Sequence, residues 1–258
     1  MPKRKAKLGA ARPLVVLVAL IAGAGCSTSQ EHLVLPPTSV QAVQYYPFQV
    51  KGFQSTYPKR TAAVPLSTDA RTFAGIAPAD QQPDQGNPAV GVIIGEDGKT
   101  AQRLYGPALG ALIQDAIARA AQEAGLSAIA VNDALSAELT ARKVDYVIDA
   151  KITRCWVSKG RGPSRGPGGA PWHSSADVAL DVTIYKPPFT IPFWQGEAAA
   201  LYNDPPATIS GDLTDEAEIY EQPGEVLSVA LTRAVAGIFK RDDLHNLMAQ
   251  DTLQTHRH

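Results

Sequence analysis

The apolar run at the start of the chain is too short to form a membrane span. Residues 14–24 (LVVLVALIAGA) hold no polar side chain, but a helix needs about 20 such residues to cross a bilayer. The sequence therefore argues against a permanent transmembrane helix here. A short apolar segment behind a basic head is typical of a cleaved export signal.

Positive charge is scarce in the rest of the chain. The sequence has 24 Lys and Arg and 25 Asp and Glu, but residues 1–25 hold five of the basic residues and none of the acidic ones. The remainder has 19 basic against 25 acidic residues, a formal charge of −6. A mildly acidic body of this kind argues against a nucleic-acid-binding protein.

Cysteine is nearly absent, and one of the two cysteines has a distinctive position. Small residues follow the apolar run and end at Cys26, next to Ser27. This order resembles a bacterial lipoprotein signal, in which the cysteine is acylated and becomes the new N-terminus. Gly23 stands where such signals usually have a larger aliphatic residue. A cut after Ala24, which would leave Cys26 as a free thiol, stays open as the alternative.

An acylated Cys26 would leave Cys155 without a partner for an intramolecular disulfide. The fold must then depend on its hydrophobic core, which a body of this length can form. We expect residues 1–25 to be the signal peptide, residues 26–58 a tether with an edge strand within residues 40–50, residues 59–250 one domain, and residues 251–258 a frayed tail.

Three motifs that suggest chemistry are incomplete. Gly98, Lys99 and Thr100 resemble the end of a phosphate-binding P-loop, but the required earlier glycine is replaced by Ile93. Residues 162–166 (GPSRG) match G-x-S-x-G without the strand and helix that a nucleophile elbow needs. The acidic residues 208–221 lack the spacing of a calcium loop, and the histidines are scattered. The sequence therefore predicts no catalytic residue, no metal site and no cofactor.

Helical periodicity marks two main helices, at residues 107–125 and 224–240. Each has an apolar stripe, and Gly125 is placed to end the first. Two further helices are predicted, one at residues 133–142 and a short last one that begins at Asp242. Gln114 is expected on the polar side of the first main helix.

Two later segments alternate between apolar and polar residues, at residues 145–157 and 175–185, and a third strand is predicted at residues 193–202. Such alternation is typical of antiparallel strands with one face on a core. In the first segment the pattern places Ile152 and Trp156 inward, and Cys155 outward with Lys151. The sequence thus predicts an α+β fold, a largely antiparallel, mixed sheet with two main helices on one face.

A basic loop lies between the first two of these strands. Residues 158–171 (SKGRGPSRGPGGAP) have Lys159, Arg161 and Arg165 as their only charged residues. Their glycines and prolines predict a mobile hairpin tip. The tip is either a solvated connection or a contact for anionic lipid, glycan or an acidic partner.

The order of motifs over residues 60–250 resembles the YajG-type envelope lipoproteins. The resemblance lies in a strand with Gly91 and Val92, the turn ending in Thr100 and a closing helix with a short helical tail, together with the segments Asp69-Ala70-Arg71, Ala124-Gly125-Leu126 and Asp145-Tyr146. It implies a lipid anchor in the outer membrane, facing the periplasm, and no known catalysis. Auxiliary lipoproteins of ABC-type lipid transporters have a similar layout.

We therefore expect a membrane-tethered periplasmic lipoprotein that acts as a non-catalytic binding module of the cell envelope. Its partners would be the membrane, through acylated Cys26, and an envelope protein, lipid or glycan. The alternative is an auxiliary or ligand-binding lipoprotein of an ABC-type lipid or solute transport system.

Overall fold

The computed structural model describes residues 41–45, 57–132, 144–161, 172–203 and 222–255. The predicted signal peptide, Cys26, the helix predicted at residues 133–142, the predicted basic tip at residues 162–171 and the acidic residues 208–221 lie outside them. In the described part of the chain, no helix is long and apolar enough to cross a bilayer.

The described elements form an α+β fold, as predicted. The strands are β1 (Gln41–Ala42), β2 (Thr61–Val64), β3 (Thr68–Asp69), β4 (Ala89–Ile94), β5 (Thr100–Tyr105), β6 (Ser127–Ala130), β7 (Tyr146–Arg161), β8 (Trp172–Tyr185) and β9 (Pro192–Asn203). The helices are α1 (Leu109–Glu123), α2 (Pro223–Phe239) and α3 (Asp242–Thr255), and a 3₁₀ turn covers Pro78–Gln81.

One mixed sheet is organised around the long strand β7. Along one edge β7 pairs antiparallel with β8, which pairs antiparallel with β9. Along its other edge β7 pairs in turn with β2, β3 and β4, all parallel. From β4 the sheet continues through β5 to β1, and from β2 to β6. The longest ladders are antiparallel, whereas the short strands join mostly in parallel.

Helices α1 and α2 cover one face of the sheet and contact each other. The apolar stripe of α1 includes the fully buried Ile113 and Ile117, and that of α2 includes Leu231 and Ile238. These side chains meet the inward residues of β7 and β8 in the main core. A smaller cluster of Ala63, Val131, Val144 and Val147 is separate from this core.

Local sequence explains where α1 ends and where α2 begins. Gly125 has a φ of +94°, and Leu126 N donates to the Ala121 carbonyl at 3.0 Å. This is the Schellman ending that glycine permits. Pro223 occupies the first turn of α2, and Gln222 N donates to the Glu225 carboxylate at 3.3 Å.

Gln114 does not lie on an exposed polar face, and that prediction was wrong. Its side-chain amide is buried and donates to the carbonyls of Val64 and Val131, both at 2.7 Å. These carbonyls lie at the ends of β2 and β6, and because the Val64 carbonyl also accepts from Val131 N at 2.9 Å, Gln114 gives it a second donor while satisfying the Val131 carbonyl.

The predicted alternation of β7 fails after Ile152 because the strand contains a bulge. The pairing with β8 shifts register between Ile152 and Arg154, and an extra residue of this kind reverses the side-chain phase. Cys155 consequently points into the core and is 1% exposed, whereas Trp156 is only partly buried. The sequence prediction had these two side chains on the opposite faces.

The start of the basic loop and the start of the C-terminal tail belong to regular elements, which the sequence did not indicate. Lys159 and Arg161 lie within β7 and pair in register with Ser174 and Trp172 of β8, so the loop does not begin at residue 158. Helix α3 extends to Thr255, beyond the predicted start of a frayed tail at residue 251.

Candidate binding sites

A groove opens beside the N-terminal end of α1. Its volume is about 580 Å³, and its lining comes from the segment after β1, the loop before β4, the end of β5 with the residues after it, and the first half of α1. The lining residues are Val43, Gln44, Tyr45, Asn87, Tyr105, Gly106, Pro107, Leu112 and Asp115.

The segment 43–45 forms one wall of this groove because both of its sides are fixed. Val43 N donates to the Tyr105 carbonyl at 3.0 Å, which extends the pairing of β1 with β5. On the other side α2 approaches closely, and a Cβ at Gly224 would lie 2.9 Å from the Gln44 carbonyl. Tyr45 completes the wall, with its hydroxyl 3.4 Å from Thr232 Oγ1.

The floor of the groove is apolar and its mouth is polar. Val43, Tyr105 and Gly106 are buried, whereas Gln44, Asn87 and Asp115 are exposed. At its inner end the groove narrows to side chains that belong to the core, namely Val90, Leu109, Leu227 and Leu231. Such a site suits the apolar part of a ligand or partner, with polar groups at the entrance.

Charge in the groove is modest. Asp115 pairs with Arg119 at 2.7 Å on the exposed side of α1. Burial raises the pKa of Tyr45, its hydrogen bond with Thr232 partly opposes this rise, and the charge of Asp115 adds to it. The hydroxyl of Tyr45 is therefore neutral at physiological pH and serves as a hydrogen-bonding group.

The paired ends of β7 and β8 form a second candidate surface. Lys159 Nζ lies 5.9 Å from the centre of the Trp172 ring, and this ring is 45% exposed. Arg161 is the register partner of Trp172. Arg165, the third predicted contact residue, lies outside the described residues, as does Cys26.

The P-loop-like turn has a structural explanation. Gly98, with a φ of +75°, makes the tight turn between β4 and β5. The Thr100 hydroxyl donates to Asp80 at 2.8 Å, and Arg103 donates to the same carboxylate at 3.2 Å. Thr100 thus binds a buried aspartate of the 3₁₀ turn.

The remaining candidates for chemistry are dispersed. Cys155 is buried, and burial raises the pKa of its thiol to about 12. His173 lies on β8, whereas His245 lies on α3 against the ring of Tyr57. Among the described residues, no three His, Cys, Asp or Glu side chains are placed to hold a metal ion.

The groove was not predicted from the sequence, whereas the basic residues of the hairpin were named as candidate contacts, which stays a prediction. Residues 43–45, 87, 105–107 and 112–115 have no common pattern, and the pairing of β5 with both β1 and β4 contributes to bringing them together. The Tyr105-Gly106-Pro107 segment before α1 was the local feature of the sequence that could have indicated the groove. Trp172 was assigned to neither the loop nor the strand, although it lies beside the predicted basic residues.

Comparisons with known proteins give distant structural similarity alone. No protein-family model matches the chain, and no curated protein matches its sequence. A Xanthomonas campestris protein of the DUF330 family is similar over 83% of this chain and 99% of its own, with 12% identity and a TM-score of 0.45. A protein described as a homologue of the neuraminyllactose-binding hemagglutinin of Helicobacter pylori is similar over 82% of this chain and 99% of its own, with 7% identity and a TM-score of 0.42.

A Caulobacter crescentus protein described as a lipoprotein is similar over 64% of this chain and 91% of its own, with 12% identity and a TM-score of 0.28. Similarity at these levels identifies no family. The resemblance to YajG-type lipoproteins therefore stays a prediction from the sequence.

Proposed function

We propose that this chain is a lipid-anchored module of the bacterial outer membrane that faces the periplasm and works by binding, without catalysis. The groove carries this proposal. It has an apolar floor, a polar mouth and a volume of about 580 Å³, and it holds no pair of a nucleophile and a base among its lining residues.

The anchor is supported by the signal that ends at Cys26 and by the length of chain behind it. Residues 27–40 separate Cys26 from β1, and 14 extended residues reach at most about 50 Å. The folded domain would therefore stay close to the membrane surface. Several acyl chains on one cysteine hold a protein firmly, since each buried methylene contributes about 0.8 kcal/mol.

The absence of catalysis is proposed from the state of the candidate nucleophile. Cys155 is 1% exposed, and a thiol with a pKa of about 12 is not a nucleophile at physiological pH. The groove does not include it.

The occupant that we propose for the groove is an apolar side chain or segment of another envelope protein. The alternative function, an auxiliary or ligand-binding lipoprotein of an ABC-type transport system, would instead place the apolar part of a lipid or solute there. The same groove is compatible with both functions, and the identity of the molecule that contacts the groove distinguishes them.

Site-specific photocrosslinking in intact cells tests the proposal. A photoreactive amino acid at Asn87, on the mouth of the groove, should give one dominant adduct with an envelope protein. The same group at Gln82, an exposed position of the same loop outside the groove, is the matched control. An adduct with a lipid would support the alternative, and equal weak labelling from both positions would contradict a binding groove.

The anchor is tested separately with Cys26→Ala. This variant should lose fatty-acid labelling and move from the membrane fraction to the soluble one. Unchanged fractionation would contradict a lipoprotein.

A further inference from the structure

We infer that the paired ends of β7 and β8 dock against anionic lipid headgroups of the membrane, with Trp172 at the boundary between water and lipid. The inference rests on the lipid anchor proposed above. It concerns a surface separate from the groove.

The geometry begins with a ribbon of two strands. Lys159 is the last residue of β7 that pairs with β4, opposite Ile93, and Ser175 is the first residue of β8 that pairs with β9, opposite Asn203. Beyond these points β7 and β8 pair only with each other in the described part of the sheet. Gly160 and Arg161 pair there with His173 and Trp172.

The side chains of this ribbon have the composition of a membrane-interface contact. Trp172 and Lys159 lie on the same face as Val157 and Ala176, past the last residues of the core, because they follow the alternation of these two strands. Lys159 Nζ lies 5.9 Å from the ring of Trp172, which remains 45% exposed. Tryptophan and basic residues are the side chains that accumulate at the lipid–water boundary.

Charge favours lipid contact at this end of the molecule. Residues 26–258 have a formal charge of −6, so an anionic surface repels the body as a whole. The paired ends of β7 and β8 contain the basic residues Lys159 and Arg161 and no acidic residue. A basic residue near an anionic membrane favours association by about fivefold.

The direction of β1 is consistent with this orientation. The β4–β5 turn and the Arg161 end of β7 lie at one end of the sheet, because β4 is parallel to β7 and antiparallel to β5. Strand β1 is parallel to β5, so the chain enters β1 travelling away from that end. The N-terminal end of β1 therefore points toward the same end of the sheet as the ribbon.

The exposed indole makes lipid, rather than a glycan or an acidic protein, the partner that we propose. An anionic glycan or peptide would engage the basic groups through charge-assisted hydrogen bonds, whereas an exposed indole combined with basic residues is the composition enriched at the membrane–water interface. An indole ring beside the ammonium group of Lys159 gains from the headgroup region, where its apolar part leaves water and its N–H stays hydrated.

Quenching of tryptophan fluorescence by brominated lipids tests the docking. The full chain, processed and reconstituted in vesicles with brominated anionic lipids, should be quenched more strongly than its Trp172→Phe variant. Trp156, which packs against Phe73, and Trp194, which is 5% exposed, give the common background. The difference should fall at least about twofold in zwitterionic vesicles or in about 1 M salt, because screening shortens the reach of the charges.

Two charge variants on the same strand sharpen the test. Lys159→Gln should weaken the docking about fivefold, whereas Lys151→Gln, an exposed position of β7 far from the ribbon, should leave it unchanged. Equal quenching of the wild type and Trp172→Phe in anionic vesicles would overturn the inference, as would equal effects of the two lysine variants.

Flotation of the protein with the vesicles separates this inference from the anchor. A chain that floats but shows no quenching of Trp172 keeps the anchor and overturns the docking. A chain that does not float contradicts the anchor. In that case, anionic vesicles are added to the unanchored protein at low salt, and quenching of Trp172 tests the docking independently of the anchor. Quenching would support the inference, and no quenching would overturn it.

Discussion

Arg71 binds Asp69 through two parallel hydrogen bonds, from Nε to Oδ1 and from Nη2 to Oδ2, both 2.9 Å long. Its remaining Nη1 donates to the carbonyls of Ala89 at 2.7 Å and of Cys155 at 3.2 Å. One guanidinium therefore joins β3, β4 and β7 where the sheet divides. Burial raises the pKa of Asp69, but the contacts with Arg71 outweigh it and leave this pKa lowered.

Replacement of Arg71 by lysine should destabilise the domain by about 1–3 kcal/mol. The Arg71 side chain is 4% exposed, and a single ammonium group cannot bind a carboxylate and two carbonyls with the planar geometry of a guanidinium. Urea unfolding measures the loss. Arg119→Lys, in the exposed pair with Asp115, should change stability by about 0.5 kcal/mol or less. A similar effect of both variants would contradict the role assigned to Arg71.

The sequence predicts the elements of this fold better than their connections. The stripes of α1 and α2 and the alternation of β8 arise from local periodicity, which is visible in one chain. The parallel pairing of β7 with β2, β3 and β4 depends on contacts between distant segments, and no local pattern encodes it.

The bulge in β7 shows where periodicity fails. Alternation assigns Cys155 to the side of Lys151, but one extra residue near Thr153 reverses every side chain that follows. The groove was hidden for a different reason, since its walls come from four separate parts of the chain. Lys159 and Arg161 could be named as candidate contact residues because charge composition is a local property.

Cys155 should be unreactive in the folded protein. Its thiol is buried, with a pKa raised to about 12 from 9.0 by burial. A group with a raised folded pKa stabilises the fold below its unfolded pKa, and this contribution declines as pH rises from about 9 toward 12. Alkylation of Cys155 at pH 8 should therefore require unfolding. Its rate should rise with urea in proportion to the unfolded fraction of the protein.

The substitution of Cys155 distinguishes burial from reactivity. Cys155→Ser should cost about 1–3 kcal/mol because it buries a hydroxyl, and Cys155→Ala should cost less. Rapid alkylation of the native protein would contradict the structure at this position.

Two glycines should respond in opposite ways to alanine. A Cβ at Gly91 would lie 2.1 Å from the Val157 carbonyl and 2.6 Å from its side chain, so Gly91→Ala must separate β4 from β7. We expect a loss of about 3 kcal/mol or more, at the upper end of point-mutant effects. Gly237 lies within α2 with no atom within 4 Å of an added Cβ, and Gly237→Ala should stabilise by about 0.5–1 kcal/mol. Thermal unfolding of both variants measures this contrast, and the same sign of change in both would contradict the close approach at Gly91.

Asp243 should make the stability of the domain depend on acidic pH. Its carboxylate accepts hydrogen bonds from Arg241 at 3.0 and 3.2 Å and from the Trp194 indole at 3.1 Å. The hydrogen bonds with Arg241 have the largest effect, and together these contacts lower the pKa of Asp243 from 3.8 to about 2. Because the folded pKa is below the unfolded one, the stabilisation is present above about pH 4 and is lost as pH falls toward 2. Asp243→Asn should therefore melt below the wild type at pH 6, and the difference in Tm should shrink on acidification to about pH 2.5. A difference in Tm that is constant across this range would show that the interaction of Asp243 with Arg241 and Trp194 does not depend on its charge.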